Sequence, residues 1–454
     1  MSNTNPPDEN GRNSLGKRIA FGTVWVMASR LLVRGMGLIN TLILARLLVP
    51  EDFGLVAIGV TLMQLLQNFS DIGVSQTVIR FRQASSQMID TLFTLSALRG
   101  LAVAIVLLAL VPLAPMLFGD PRAAGVIAAI SIAPLVLGLK NPRFFEFERD
   151  LDFSRTFRLE AIAKSLSVIV AVSIALVFRT YWAIIIGILA GAVAEVCASY
   201  LLRTYRPRIS FQAFSDLIGF TGWLAAVSFV TALNNKLDTL LLPKLAGASA
   251  TGVFHVGHQI ADIPTEEIAT PMARAIYPGL SELQEDREQM NRTFLQGVEV
   301  LGAVGLPAAI GCAFVAEDLV ALLLGDNWQM VAPVLQIYGP AAALVMLFAA
   351  LQGFAIARDL TKVIFWREVA YFLFRTPLFI WAAFTFGLIG AIAATAAGAA
   401  GNGHRDDVRR RRRRLQSEER DEKGRQIGNG GSSTHIPYLR DRSVNSQPPA
   451  AYNN

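Results

Sequence analysis

The chain has 454 residues, of which 53% are hydrophobic and only 17% charged, with a formal net charge of +6. Soluble domains carry about 25% charged residues, and here many charges crowd into the C-terminal tail, so a soluble enzyme is excluded for the bulk of the chain. Apolar runs of about 20 residues recur along its length, and in lipid each must satisfy its own backbone by forming a helix.

A polar segment, 1–18, leads directly into the first apolar run, and no cleavable leader is expected. Twelve spans are predicted: 19–45, 53–79, 91–118, 123–140, 159–178 and 181–202, then 216–242, 250–277, 296–324, 331–357, 364–386 and 388–403. An internal repeat divides them. Residues Thr23 to Gly59 align without a gap on Thr221 to Gly257, a shift of 198 positions, with 9 identities in 37. Composition alone would give roughly three. Trp25 meets Trp223, Leu44 meets Leu242, Gly54 meets Gly252 and Gly59 meets Gly257; Arg46 meets Lys244 and Asn40 meets Asp238. The expected fold is therefore an all-α polytopic membrane protein of about twelve transmembrane helices. They form two pseudo-symmetric six-helix lobes, 19–208 and 209–403, around a central cavity.

The connections alternate in charge. One set carries 18 Lys and Arg, among them Arg18, Arg80, Arg82, Lys140, Arg143, Arg203 and Arg358; the other carries 4, namely Arg46, Arg122, Arg179 and Lys244. Cytoplasmic loops hold the excess, so both termini are expected in the cytoplasm. The second set of turns is short and marked by Pro and Gly, as at Val49–Pro50, Gly119–Asp120–Pro121 and Gly325–Asp326, with no room for a soluble catalytic domain. Cys197 and Cys312 are isolated in apolar segments and are expected to pack rather than bridge.

Charges inside spans are costly and usually face a polar cavity or a partner. Arg30 and Arg34 lie at i,i+4 and share one helical face. Two guanidinium groups one turn apart suit a phosphate or diphosphate; alternatively the pair snorkels to the nearby interface. Thr231, Asn234 and Asp238 form one polar face, with Lys236 on another, which reads either as a cavity lining or as an internal salt bridge holding helices together. His255, His258, Asp262 and Glu266 make a continuous stripe. Its spacing could ligate a metal, but a water-lined cavity explains it as well and a proton relay suits it better; no metal or cofactor is assigned. Gln64 and Asn68 occupy the matching positions of the first copy, and Pro264 and Pro271 are expected to bend the second. Arg375, near the middle of its segment, ranks highest as a substrate contact; Arg99 and Glu195 are further lone charges. No phosphate-binding loop, nucleophile elbow or Cys/His cluster is present.

From Gly401 the composition changes abruptly. Arg409 to Arg414 is a run of six arginines followed by a Gly/Ser/Asn-rich segment, and residues 404–454 are expected to form a disordered basic tail. It reads as a polybasic lipid anchor, less well as a nucleic-acid binder, or as the product of a shifted reading frame, the reading slightly favoured.

The motif Leu44–Ala45–Arg46–Leu47–Leu48–Val49–Pro50, then Phe53–Gly54–Leu55 and Asp71–Ile72–Gly73, resembles the N-terminal pattern of bacterial polysaccharide exporters of the multidrug/oligosaccharidyl-lipid/polysaccharide superfamily. Asn235–Lys236–Leu237–Asp238, Gly252–Val253–Phe254 and Tyr277–Pro278–Gly279–Leu280 fit the same family, whose likeness runs from about residue 15 to 395. The resemblance implies flipping of undecaprenyl-diphosphate-linked oligosaccharide repeat units across the bacterial inner membrane, colanic-acid-like or succinoglycan-like. A polysaccharide polymerase and co-polymerase would be partners, nucleic acid would not, and no catalysis is implied. Arg30, Arg34, Lys236 and Arg375 would hold the headgroup, while Asp238 and the His255–Glu266 stripe would bind a coupling ion or line the cavity. The alternatives within the superfamily are a cation-coupled multidrug antiporter and a lipid-linked peptidoglycan precursor flippase.

Overall fold

The computed structural model describes residues 9–70, 85–150, 152–212, 222–263, 287–357 and 365–398, and these are helical throughout with short connections. In chain order the principal helices are α1 (Glu9–Leu47), α2 (Pro50–Phe69), α3 (Ser86–Leu110), α4 (Ala114–Phe118), α5 (Arg122–Ile130), α6 (Ile132–Gly138), α7 (Glu146–Arg149), α8 (Phe153–Phe178) and α9 (Trp182–Leu202). The second half follows with α10 (Gly222–Ala261), α11 (Arg287–Phe314), α12 (Ala316–Leu323) and α13 (Ala332–Ala357), and with the helical segment α14 (Phe365–Gly398). Among the described residues, six helices are long and apolar enough to cross a membrane, or seven if α11 and α12, bent by 73°, form one broken span. The twelve predicted spans map onto fewer continuous helices. The seventh and eighth run together as α10, the last two run together as α14, and the fourth is the shorter apolar stretch Arg122–Gly138.

Local chemistry sets the breaks. Pro50 opens α2, where its missing N–H costs nothing, and the Asp52 carboxylate accepts from the Val49 amide at 3.3 Å. In α10 the equivalent break is Gly247, with φ +88°. Val49 and Gly247 are 198 residues apart, so both copies of the repeat interrupt their helix at the same place. Gly387, φ +61°, is the tip of a hairpin in α14. A Cβ on Gly390 would lie 2.0 Å from the Ala382 carbonyl oxygen, and one on Gly398 would lie 3.1 Å from the Arg375 side chain, so the two arms run back to back.

The repeat copies meet each other. A Cβ on Gly54 would lie 1.8 Å from the Ala248 carbonyl oxygen, and a Cβ on Gly252 would lie 1.8 Å from the Pro50 carbonyl oxygen. Gly54 corresponds to Gly252 and Pro50 to Ala248 under the 198-residue shift. A contact in which i touches j′ while i′ touches j is the signature of a two-fold axis, and it passes between α2 and the second arm of α10. Only residues lacking a side chain permit backbones this close, the usual basis of tight packing between membrane helices. Around this point Leu44, Leu48 and Phe53 of the first half share a core with Leu242, Phe254, Trp328 and Phe379 of the second. A separate core of Leu55, Ile58, Leu107, Ile127 and Ile130 lies within the first half.

Candidate functional site

Arg30 is half-buried and Arg34 exposed on α1. Among the described α1 side chains, burial is confined to Ser29, Thr41, Leu44 and Ala45. Burial thus concentrates over the last two turns, where α1 approaches the second half. Its earlier turns are tied to α8 instead. The Ser29 hydroxyl donates to the Glu160 carboxylate, and Lys164 lies against Gly37, its Nζ 3.6 Å from where a Cβ would sit. The Glu160–Lys164 pair therefore faces α1 within the first half.

The face of α10 carrying Asn234 and Asp238 is an internal one. Asp238 and Arg375 form a buried ion pair, at 4% and 8% exposure. Arg375 also donates to the Asn234 carbonyl at 2.6 Å, and its guanidinium lies 5.6 Å from the Tyr371 ring. Thr395, on the returning arm of α14, donates to the same Asp238 oxygen at 2.9 Å. One turn earlier the Asn234 amide donates to the Glu368 carboxylate at 2.9 Å, and Arg367 pairs with that carboxylate at 2.6 Å. These residues lace both arms of α14 to the first arm of α10. Arg375, expected as a headgroup contact, is placed here as the internal counter-ion of Asp238. Its two hydrogen-bonding nitrogens are committed to Asp238 and Asn234, and separating a buried pair strands both charges. For Asp238, the salt-bridge alternative is the one the geometry matches. Lys236, half-buried, occupies the other side of α10.

The stripe divides. His258 is sandwiched between Phe254 and Tyr338, with ring centroids 4.1 and 3.7 Å away, and its Nδ1 donates to the Phe254 carbonyl at 3.2 Å. The Tyr338 hydroxyl donates to Asp262 at 3.1 Å. His258, Tyr338 and Asp262 thus join α10 to α13, whereas His255 is half-buried. Glu266, Pro264 and Pro271 lie outside the described residues, as do Arg80, Arg82, Arg358, Asp71–Gly73, Tyr277–Leu280 and everything after Gly398. Gln64 is half-buried and Asn68 exposed on α2. Among the described residues no group of three His, Cys, Asp or Glu side chains could hold a metal. Arg99 donates to the Ser70 hydroxyl at 3.2 Å and to the Gln67 carbonyl at 3.0 Å, closing the end of α2, and Glu195 pairs with Lys140 at 2.8 Å.

Several residues at these sites escaped the sequence reading. Glu368 and Tyr371 share the first arm of α14 with Arg375, and Thr395 reaches the same cluster only through the hairpin at Gly387. Trp328, fully buried, donates to the Ala45 carbonyl at 2.8 Å and packs perpendicular to Phe53 at 5.0 Å, pinning the end of α1. The Thr41 hydroxyl donates to Gln259 across the halves at 3.4 Å. At the turn after α4, Arg122 bridges Asp120 and Glu51, and its hydrogen bonds hold the Asp120 carboxyl below its ordinary pKa. The assembly as a whole offers cationic and polar positions on helices that border the partner half.

Comparison with known proteins gives a consistent answer. The model of a family described as "Polysaccharide biosynthesis protein" matches residues 43–333, a stretch containing the contacting parts of both repeat copies. The Lipopolysaccharide biosynthesis protein WzxC of Escherichia coli is 25% identical over 391 residues, covering 84% of this chain and 78% of its own. The Succinoglycan biosynthesis transport protein ExoT of Rhizobium meliloti is 23% identical over 322 residues, 70% of this chain and 65% of its own. Among solved structures, the lipid II flippase MurJ in an inward closed conformation superposes with a TM-score of 0.66 at 14% identity, covering 84% of this chain and 86% of that one. That likeness shows the two-lobed transporter fold and nothing finer.

Proposed function

Because the chain belongs to the polysaccharide biosynthesis protein family, we propose that it flips undecaprenyl-diphosphate-linked oligosaccharide repeat units across the bacterial inner membrane for assembly of an exopolysaccharide. The observation that carries this reading is the family match over 43–333, which spans the junction between the halves. The chemistry of the cargo fits that junction. A bulky polar glycan and two phosphates need a hydrated, cationic route, while the isoprenoid tail stays in lipid. The halves, 19–208 and 209–403, would part and close around the headgroup, with Arg30, Arg34 and Lys236 meeting its phosphates. His255 and Glu266 would line the route, and Asp238 with Arg375 would brace the second half against it. The termini would be cytoplasmic, and a polymerase with its co-polymerase would take the delivered unit.

The test is a deletion strain. Loss of the protein should abolish secreted polymer and accumulate the lipid-linked repeat unit on the cytoplasmic leaflet, and plasmid-borne protein should reverse both. Normal polymer output, or loss of polymer without accumulation of the lipid-linked unit, would refute the assignment. Replacing Arg34 by Gln should reproduce much of the deletion phenotype with the protein still in the membrane; wild-type export would remove Arg34 from the route.

A further inference from the structure

Two of the four cations predicted on the sparsely charged side of the membrane do the same job in opposite directions. Arg46, at the end of α1, reaches into the second half. Its Nε donates to the Leu323 carbonyl and its Nη2 to the Ala321 carbonyl, both at 3.2 Å, and Nη2 also meets the Leu322 carbonyl. Lys244 reaches into the first half, where Nζ donates to the Met116 carbonyl at 2.9 Å. Arg46 and Lys244 are equivalent under the 198-residue shift. Their acceptors are equivalent too, because Met116 and Leu322 are 206 residues apart, as are Gly119 and Gly325 of the turns that follow. Both glycines adopt positive φ, +76° and +93°, and both turns lie against the cation: a Cβ on Gly119 would be 3.9 Å from Lys244, and one on Gly325 would be 3.1 Å from Arg46. The carbonyls belong to the last turns of α4 and α12, where helical backbone has no partner of its own and a cation is favoured.

We infer that Arg46 and Lys244 are a pair of two-fold-related latches that hold the extracytoplasmic end of the two halves shut, each cation plugging the carbonyl end of a helix in the opposite half. This inference rests on the transport reading and on the proposed orientation. The latches lie eight residues before Gly54 and Gly252 in their respective copies, and their release removes one set of bonds that joins the halves there, beside the shared apolar core. Because the acceptors are backbone carbonyls, no side-chain substitution in the opposite half removes them, and the latches' share of closure is set by the two cations. Arg46, with a three-bond fork, is the stronger.

The test reads closure directly and independently of export. In protein lacking Cys197 and Cys312, Ala45→Cys places a thiol at a site 2% exposed beside the latches. Labelling by a charged maleimide in nanodiscs, where both faces are accessible, reports opening of that end. Arg46→Ala and Lys244→Ala should each speed labelling about twofold to fivefold, the usual worth of a cation at a helix C-terminus, and the double variant should speed it by roughly the product. Arg46→Lys and Lys244→Arg should retain most of the protection, which separates loss of the cation from damage to the fold. Unchanged labelling in the double variant overturns the inference, as does equal acceleration by the conservative pair. Should labelling respond while the deletion strain secretes polymer normally, the latch survives and the assigned cargo does not.

Discussion

The two copies of the repeat agree where they touch each other and differ where each packs into its own half. At the junction Gly54 and Gly252 play one part, and Arg46 and Lys244 another. Less than two turns along the same helix, Asn40 stands where Asp238 stands in the second copy. Asp238 has drawn in Arg375 and Thr395, whereas the first copy binds its neighbour through Ser29–Glu160 and Lys164. The two-fold contact constrains both partners at once, since a side chain added to either glycine strikes the other copy's backbone. Nothing comparable ties Asn40 to Asp238, so the second half is free to carry a buried ion pair and the first is not obliged to.

The sharpest way to break this comparison is to unpair the second copy. Asp238→Leu leaves Arg375 buried and uncompensated and should cost about 3–5 kcal/mol, read as thermal or denaturant unfolding in detergent. Adding Arg375→Met should recover most of that loss. Asn40→Leu, at the matching site, should stay within about 1 kcal/mol of wild type; an equal loss there would mean that the halves have not diverged. Next in size are Gly54→Val and Gly252→Val. Each forces a side chain into backbone and should cost at least about 1–3 kcal/mol, with closely similar values because the contact is reciprocal. A clear inequality would show that the two-fold relation does not extend to the energetics.

Smaller effects test the turn positions. Trp328 and Arg122 are 206 residues apart, the spacing that relates Gly119 to Gly325. The second half fills this place with a buried indole, and the first with a half-exposed arginine. Trp328→Phe removes the pyrrole part of a fully buried indole together with the hydrogen bond to Ala45, for about 1–2 kcal/mol. Arg122→Ala loses surface ion pairs and should cost about 0.2–1 kcal/mol. The wild-type Asp120 carboxyl has a depressed folded pKa, so its contribution is complete above the ordinary carboxylate range and fades as pH falls through the lower folded value. Acid unfolding should therefore differ little between wild type and Arg122→Ala once pH has fallen below that depressed value, and most near neutrality.

The legible part of the fold was the repeat. Gly54, Gly252, Arg46 and Lys244 stand at fixed separation in the sequence, and the structure joins them across a two-fold axis. The apolar runs likewise announced the helices, although not where two would run on as one, because the break at Gly247 or Gly387 is a single residue's backbone conformation. The candidate site was less legible. Periodicity put Asn234 and Asp238 on one face without naming what faces them. Arg375 lies 137 positions away, and only the hairpin at Gly387 brings Thr395 to the same carboxylate. His258, Asp262 and their spacing were visible, but Tyr338, which stacks on the first and hydrogen-bonds the second, belongs to another helix. Lone charges in spans read alike whether they meet a ligand or an internal partner, and burial alone tells them apart.

The central claim is that cargo passes only when the two halves separate at the Gly54–Gly252 end. Glu51 and Ser249, equivalent positions flanking that contact, can each be replaced by cysteine in the otherwise thiol-free protein and joined by a short reducible bismaleimide-type linker. Polymer export measured in cells carrying this protein should stop on joining and return on reduction, with either single cysteine unaffected. Export that continues with the halves fastened together would contradict the account.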